Sequence, residues 1–234
     1  MRHNLTFDGK PFSDFGAFIS GVGIYNAPER DVERIEIPGR TGDLFKDNGR
    51  FRNIEISYPC YIVSDFGNQF NGLKEYLCSK LGYAKLEDSY APDHYRLARP
   101  VTPIEAVPQI LHRTGSFILT FDCDARRFLK NGDNVITLTA NGSIFNPTYF
   151  DAKPLIRAYG TGSFTINDIT VTITSANVYT DIDCEIMDAY KGTTNCNGNI
   201  STTNNEFPAL RPGANNITLS GITKLEITPR WWTI

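Results

Sequence analysis

Only one stretch of this chain carries helical spacing. Phe66, Phe70, Leu73, Leu77 and Leu81 recur at intervals of three and four, Gly82 follows as a terminator, and Ser64 or Asp65 is the expected cap, so a helix is predicted over about 65–80. Every other apolar segment is short and bounded by glycine, proline or asparagine, which leaves strands as the remaining regular structure. A chain of 234 residues that is 41% hydrophobic can bury a substantial core. The fold class is therefore mainly β with one helix.

The strand candidates run the length of the chain. Ile35 and Ile37 alternate with Glu36 before Pro38, and Ile54, Ile56 and Tyr58 alternate with Glu55 and Ser57. Pro59 lacks a ladder donor and marks an edge strand or a bulge. Between these runs Pro38–Arg50 holds three glycines and little periodicity, and reads as a long loop projecting from a sheet. Phe117, Leu119, Phe121 and Cys123 make one face of a further strand, and Tyr83–Leu86, His94–Arg99 and Ile104–Ile110 are shorter candidates. Asn131-Gly132 and Asn141-Gly142 bracket Val135–Thr139, where we place a domain boundary, giving domains 1–139 and 140–234. Beyond it Leu155–Tyr159, Ser163–Ile166, Thr170–Thr174, Ile182–Met187 and Ile217–Ser220 predict an all-β sandwich. Leu225 and Ile227 then alternate with Lys224, Glu226 and Thr228 ahead of Arg230, Trp231 and Trp232. Two large rings need apolar cover, so this end is expected to dock as a structural anchor, on its own domain, on the first domain as a returning strand, or on a neighbouring subunit.

Catalytic patterns are absent from the sequence. It contains no phosphate-binding Gly-rich loop ahead of Lys-Ser/Thr, no His-Glu-x-x-His and no Gly-x-Ser-x-Gly elbow, and His3, His94 and His112 fall in separate segments. Asp181, Asp183 and Glu185 form the densest carboxylate group, for which a solvated or salt-bridged strand face is the expectation rather than calcium or acid/base chemistry. The cysteines at 60, 78, 123, 184 and 196 form no Cys-x-x-Cys pair and are expected as free thiols. The 23 basic and 26 acidic side chains are spread without long runs, which gives no electrostatic footprint for DNA, RNA or an anionic membrane. No signal peptide or membrane span is expected, and neither is a cofactor, a metal or enzymatic activity.

Several ordered segments together resemble the distal tail protein family of long-tailed siphophages and related prophages. They are Phe7-x-Gly9 with Phe15-Gly16, Ile37-Pro-Gly-Arg-Thr-Gly-Asp43, the helix after residue 64, Lys153-Pro-Leu-Ile-Arg-Ala-Tyr-Gly160, Ile182-Asp-Cys-Glu-Ile-Met-Asp-Ala-Tyr190, Phe207-Pro-Ala-Leu-Arg-Pro-Gly213 and Thr228-Pro-Arg-Trp-Trp232. The resemblance implies an N-terminal tail-tube-like β-barrel or sandwich domain with one α-helix, closing into a hexameric hub ring. It also implies a C-terminal sandwich of galectin-like or carbohydrate-module-like shape. The implied role is structural: a virion tail-tip hub joining the tail tube to the baseplate or host-adhesion apparatus, assembled in the host cytoplasm. Its implied partners are the tail tube protein, a tail-associated hub or lysin protein, and a receptor-binding protein.

In that family the loop between early strands forms an intersubunit belt, so Arg40, Thr41, Asp43, Leu44 and Phe45 are the expected oligomer interface. The alternative is a carbohydrate-binding module for host-surface glycans, which would require an exposed aromatic platform drawn from Tyr179, Tyr190 or Trp232.

Overall fold

The computed structural model describes residues 2–21, 23–109, 113–176 and 178–234. The chain divides into two compact units, one reaching to Arg127 and including Ile234, the other Phe128–Thr233.

The first unit is organised around the apolar alternation of its longest strands. Gly115–Cys123 of the strand Thr114–Leu129 pairs antiparallel with Ile54–Ile62, so that Phe117 faces Cys60, Leu119 faces Tyr58 and Phe121 faces Ile56 in register. All six are buried, and together with Leu5, Phe7 and Leu86 they form one face of a curled half-barrel sheet, with Phe12 in the same core. From one edge the strand order is Lys10–Pro11, Leu5–Phe7, Ala84–Asp88, His94–Pro100, Thr114–Leu129, Ile54–Ile62, Ala17–Ile19, and Ala106–Gln109 adds to Thr114–Leu129. The helix, Phe66–Cys78, buries Phe66, Leu73 and Leu77 against this face. Gly115 is the point of closest approach, since a Cβ there would overlap the Phe66 ring.

Local chemistry departs from expectation in two places. Asp65 is the cap residue, yet its carboxylate accepts from the Asn68 side chain at 3.0 and 3.1 Å rather than from a backbone N–H of the first turn. Ile54–Ile62 is not an edge strand, because Ala17–Ile19 pairs with Cys60–Ile62 on its other side. That pairing stops just before Pro59, whose carbonyl accepts the Ser20 N–H at 2.8 Å, so the missing proline donor costs no ladder bond. Residues 110–112, including His112, lie outside the described residues.

In the second unit two sheets share one core. The first runs Ile136–Leu138, Lys224–Thr228, Leu155–Tyr159, Tyr179–Asp183, Asp188–Lys191, Thr194–Asn195; the second runs Gly142–Asn146, Gly213–Ser220, Gly162–Ile166, Ile169–Ile173, Ile200–Thr202. Ile156, Ala158, Ile182, Leu225 and Ile227 from the first sheet meet Ile144, Phe164, Ile166, Val171, Ile173 and Ile217 from the second, as period-2 alternation requires. Asn146 and Asn215 are fully buried in this unit, and each is satisfied. The Asn215 amide donates to the carbonyls of Arg211, Gly213 and Ile144 and its Oδ1 accepts the Arg211 N–H, which pins the turn before Gly213–Ser220.

Candidate assembly surface

The segment around residue 40 is a projecting β-hairpin. Arg30–Ile35 pairs with Leu44–Phe51 as a separate two-stranded sheet, so Leu44–Phe51 is a strand and only Glu36–Asp43 is loop, in contrast to the loop expected over Pro38–Arg50. The periodicity was silent because neither face of Leu44–Phe51 is buried, and an apolar alternation is selected only where one face meets a core. At the loop tip the Arg40 N–H donates to the Ile37 carbonyl at 3.1 Å across Pro38-Gly39, and Gly39 holds φ 79°, the left-handed position that this turn gives to glycine.

Charge and stacking replace a core along the hairpin. Directly opposed residues are complementary: Glu33 accepts from Lys46 at 3.4 Å, the Arg34 guanidinium lies 5.6 Å over the Phe45 ring, and Ile35 faces Leu44. Nearer the base, Arg30 donates to Asp47 at 2.6 and 2.9 Å and covers Phe51, while Asp31 accepts from Arg50 at 2.7 Å and from Arg52 at 3.1 and 3.2 Å. Those two guanidiniums, Arg50 first, hold the Asp31 carboxyl below the usual carboxylate range. Asp47 is likewise held down, chiefly by Arg30. Of these pairs Lys46–Glu33 and Arg30–Asp47 are exposed and contribute little each, Asp31 alone is buried, and an isolated two-stranded hairpin is marginal in water.

Apolar side chains nevertheless gather at its far end. Ile35 is 42% exposed, Leu44 40% and Phe45 61%, with Ile37 beside them. All five residues singled out from the sequence, Arg40, Thr41, Asp43, Leu44 and Phe45, are exposed and lie together on this tip. The Ile35 and Arg34 contributions were missed, although their partner strand could have been found from the charge complementarity of Arg30–Glu33 with Lys46–Arg50.

The chain end is built differently. Trp231 is 4% exposed and belongs to the core of the second unit, and its carbonyl accepts the Leu129 N–H at 2.9 Å. Gly132 leaves the space for this passage, since a Cβ on it would overlap the Trp231 backbone, and its carbonyl accepts the Arg230 N–H at 2.8 Å. Arg230 adopts φ 58° and donates both Nη groups to Asp183 at 2.7 and 2.9 Å. Trp232 stacks on Phe150 with centroids 4.2 Å apart and donates its Nε1–H to the Asp151 carbonyl at 2.9 Å.

The carboxylates read from the sequence as one group are divided. Asp181 pairs with Arg157 at 2.6 and 3.0 Å and Asp183 with Arg230, while Glu185 sits in the turn beyond the strand, its N–H donating to Asp183. Among the described residues no group of three or more His, Cys, Asp or Glu side chains is placed to hold a metal ion. Cys60, Cys123 and Cys184 are buried free thiols, each pushed up to about 12 by burial, and Cys78 is an exposed one. No described helix is long and apolar enough to cross a membrane.

The aromatic platform required by glycan recognition has no counterpart at Tyr179, which is covered by Arg157 at 4.3 Å and Lys191 at 5.1 Å. An open groove of about 190 Å³ lies elsewhere in the second unit, lined by Met187, Asn197, Ser201, Thr202, Asn205 and Phe207.

By sequence, neither a family model nor a curated protein matches the chain. Solved structures do. The chain is similar over its full length, and over the full length of the other chain, to the Dit protein of phage SPP1, described as a paradigm of the hub adsorption apparatus in phages infecting Gram-positive hosts, with a TM-score of 0.76 at 12% identity. It is also similar to a chain of the phage P2 baseplate in its activated conformation, with Ca (TM-score 0.54, 12% identity, 97% of each chain) and with Sr (0.53, 12%, 97% of this chain and 96% of that one). From end to end, the chain has the fold of the phage distal tail hub proteins.

Proposed function

We propose that this protein is a structural, non-enzymatic hub subunit of a long-tailed phage tail tip, six copies of which close into a ring joining the tail tube to the baseplate. The carrying observation is the hairpin Arg30–Phe51: it leaves the half-barrel sheet with no core of its own and presents Ile35, Leu44 and Phe45 to solvent. A ring demands a heterologous contact, one patch of each subunit meeting a different patch on the next, and a projecting arm with an apolar tip supplies one half of it. Fold similarity to the SPP1 hub and to the P2 baseplate chain supports the same reading. Arg40, Thr41 and Asp43 would rim the contact and Leu44 and Phe45 would fill it, as apolar centres within polar rims do. Tail-tube, hub or lysin and receptor-binding proteins are the proposed neighbours, the virion tail tip the proposed location, and the host cytoplasm the proposed place of assembly.

The test is sedimentation velocity of the full chain across a wide concentration range. A ring of six 26.2 kDa chains has a mass of about 157 kDa, and the double substitution Leu44→Ser, Phe45→Ser should shift the protein to smaller species without altering its β-sheet circular dichroism. An intact ring in the double variant would overturn the assigned contact. A second reading, recognition of host-surface glycans by the second unit, draws on the Phe207 groove and its Asn, Ser and Thr lining; a wild-type chain that stays monomeric and binds oligosaccharide would favour it.

A further inference from the structure

Two arginines of the first unit occupy positions where strand alternation calls for apolar residues. Arg96 stands in register with the buried Leu86 and two residues before the buried Ala98, and is itself only 8% exposed. Arg127, two residues beyond the buried series Phe121, Cys123 and Ala125 on the neighbouring strand, is half-buried. Cations at such positions are retained when something pairs with them. The protein supplies little. Arg96 donates one bond, to the Ala125 carbonyl at 3.2 Å, and among the described residues Arg127 makes no hydrogen bond or ion pair.

The carboxylate that lines a cavity with both arginines is already engaged. Asp88 accepts the Tyr58 hydroxyl at 3.0 Å and the N–H groups of Tyr90 and Ala91 at 2.9 and 3.0 Å. Burial, and after it the Arg127 charge, push His94 and Arg96 down. Arg96, Arg127, Tyr58 and Asp88 all line a cavity of about 40 Å³, closed on another side by Gly23, Ile24 and Tyr25. That volume exceeds the roughly 10–15 Å³ needed by one water.

We propose that this cavity, between the guanidinium groups of Arg96 and Arg127, is a binding site for a small inorganic oxyanion. Guanidinium forks match oxyanions geometrically, and one bound anion neutralises the charge that Asp88 leaves uncompensated. Because Gly23–Tyr25 form its wall, the ligand also ties down the stretch of chain leading into the hairpin at Arg30.

The experiment is calorimetric titration of the full chain with inorganic phosphate at constant ionic strength, with thermal melting alongside. Saturable binding at one site per chain is expected, with a melting point raised by about 4 °C at ten times the dissociation constant. Arg127→Met keeps the apolar stem and should weaken binding at least tenfold, while Lys153→Met, an exposed change in the second unit, should leave it unaltered. If Arg127→Met does not fold, Arg127→Lys serves, since a point charge without the fork should also weaken binding. Absence of saturable heat from the wild type, or unchanged affinity in the Arg127 variant, would overturn the proposal.

Discussion

Substituting Trp231 with alanine separates an anchoring chain end from a decorative one. The indole is 4% exposed and packs in the core of the second unit, so its removal strips about 150–250 Å² of apolar contact, equivalent to about 4–6 kcal/mol at roughly 25 cal/mol per Å². Direct experience with aromatic truncations in cores is about 3–5 kcal/mol, and we take that range because neighbours relax partly into the void. Domains are stable by only about 5–15 kcal/mol in total, so the loss should be plain. Trp232 provides the internal control. It is half-buried, with one stacked ring and one hydrogen bond, and Trp232→Ala should cost about 1–2 kcal/mol. The assay is urea unfolding followed by circular dichroism, because these are the only two tryptophans and each substitution changes the fluorescence reporter itself. Calorimetry should place the loss on the second unit, whose core holds Trp231, and leave the first unit's melting unchanged. A Trp231→Ala cost below about 1 kcal/mol, or one no larger than that of Trp232→Ala, would refute the reasoning from burial.

Acid should loosen the hairpin. The Asp31 carboxyl is held below its unfolded value of about 3.9, so its contribution is fully present above that pH and is lost as pH falls through the lower folded value. Amide exchange in Leu44–Phe51, corrected for intrinsic rates, should show protection falling in that window, and Asp31→Asn should flatten the dependence; an equally steep response in the variant would exclude Asp31 as the cause. Thiol labelling makes a separate check on the cores. In the native protein at about pH 8, iodoacetamide should modify Cys78 readily and spare Cys60, Cys123 and Cys184, whose thiols are buried and pushed up to about 12. Rapid modification of any of those three, read by peptide mass spectrometry, would contradict the packing.

The elements legible from sequence are those with one face on a core. Phe117, Leu119, Phe121 and Cys123 announce their strand because burying one face imposes period 2, and Phe66, Phe70, Leu73 and Leu77 announce the helix because its buried stripe imposes period 3.6, whereas Leu81, read into the same stripe, lies beyond the helix end at Cys78 and is 94% exposed. The same rule explains what went unread. Leu44–Phe51 buries neither face, so its strand signal lies in charges complementary to a partner strand, which a scan for apolar alternation passes over. Arg96 and Arg127 break the alternation on strands that are otherwise regular, and sequence alone does not tell a charged core-facing residue from a register change.

The sequence by itself determined a mainly β chain with one helix, the alternating core strands of both halves and an end too aromatic to be left in solvent. Local chemistry suffices for these, since periodicity and turn residues act within a few positions of one another. Tertiary structure alone decided which strands pair, that Asp181 and Asp183 go to Arg157 and Arg230, that Trp231 threads past Gly132, and that Arg96 and Arg127 share one cavity. Those contacts join residues far apart in the chain, and their energies depend on distance, burial and register, none of which a linear pattern encodes.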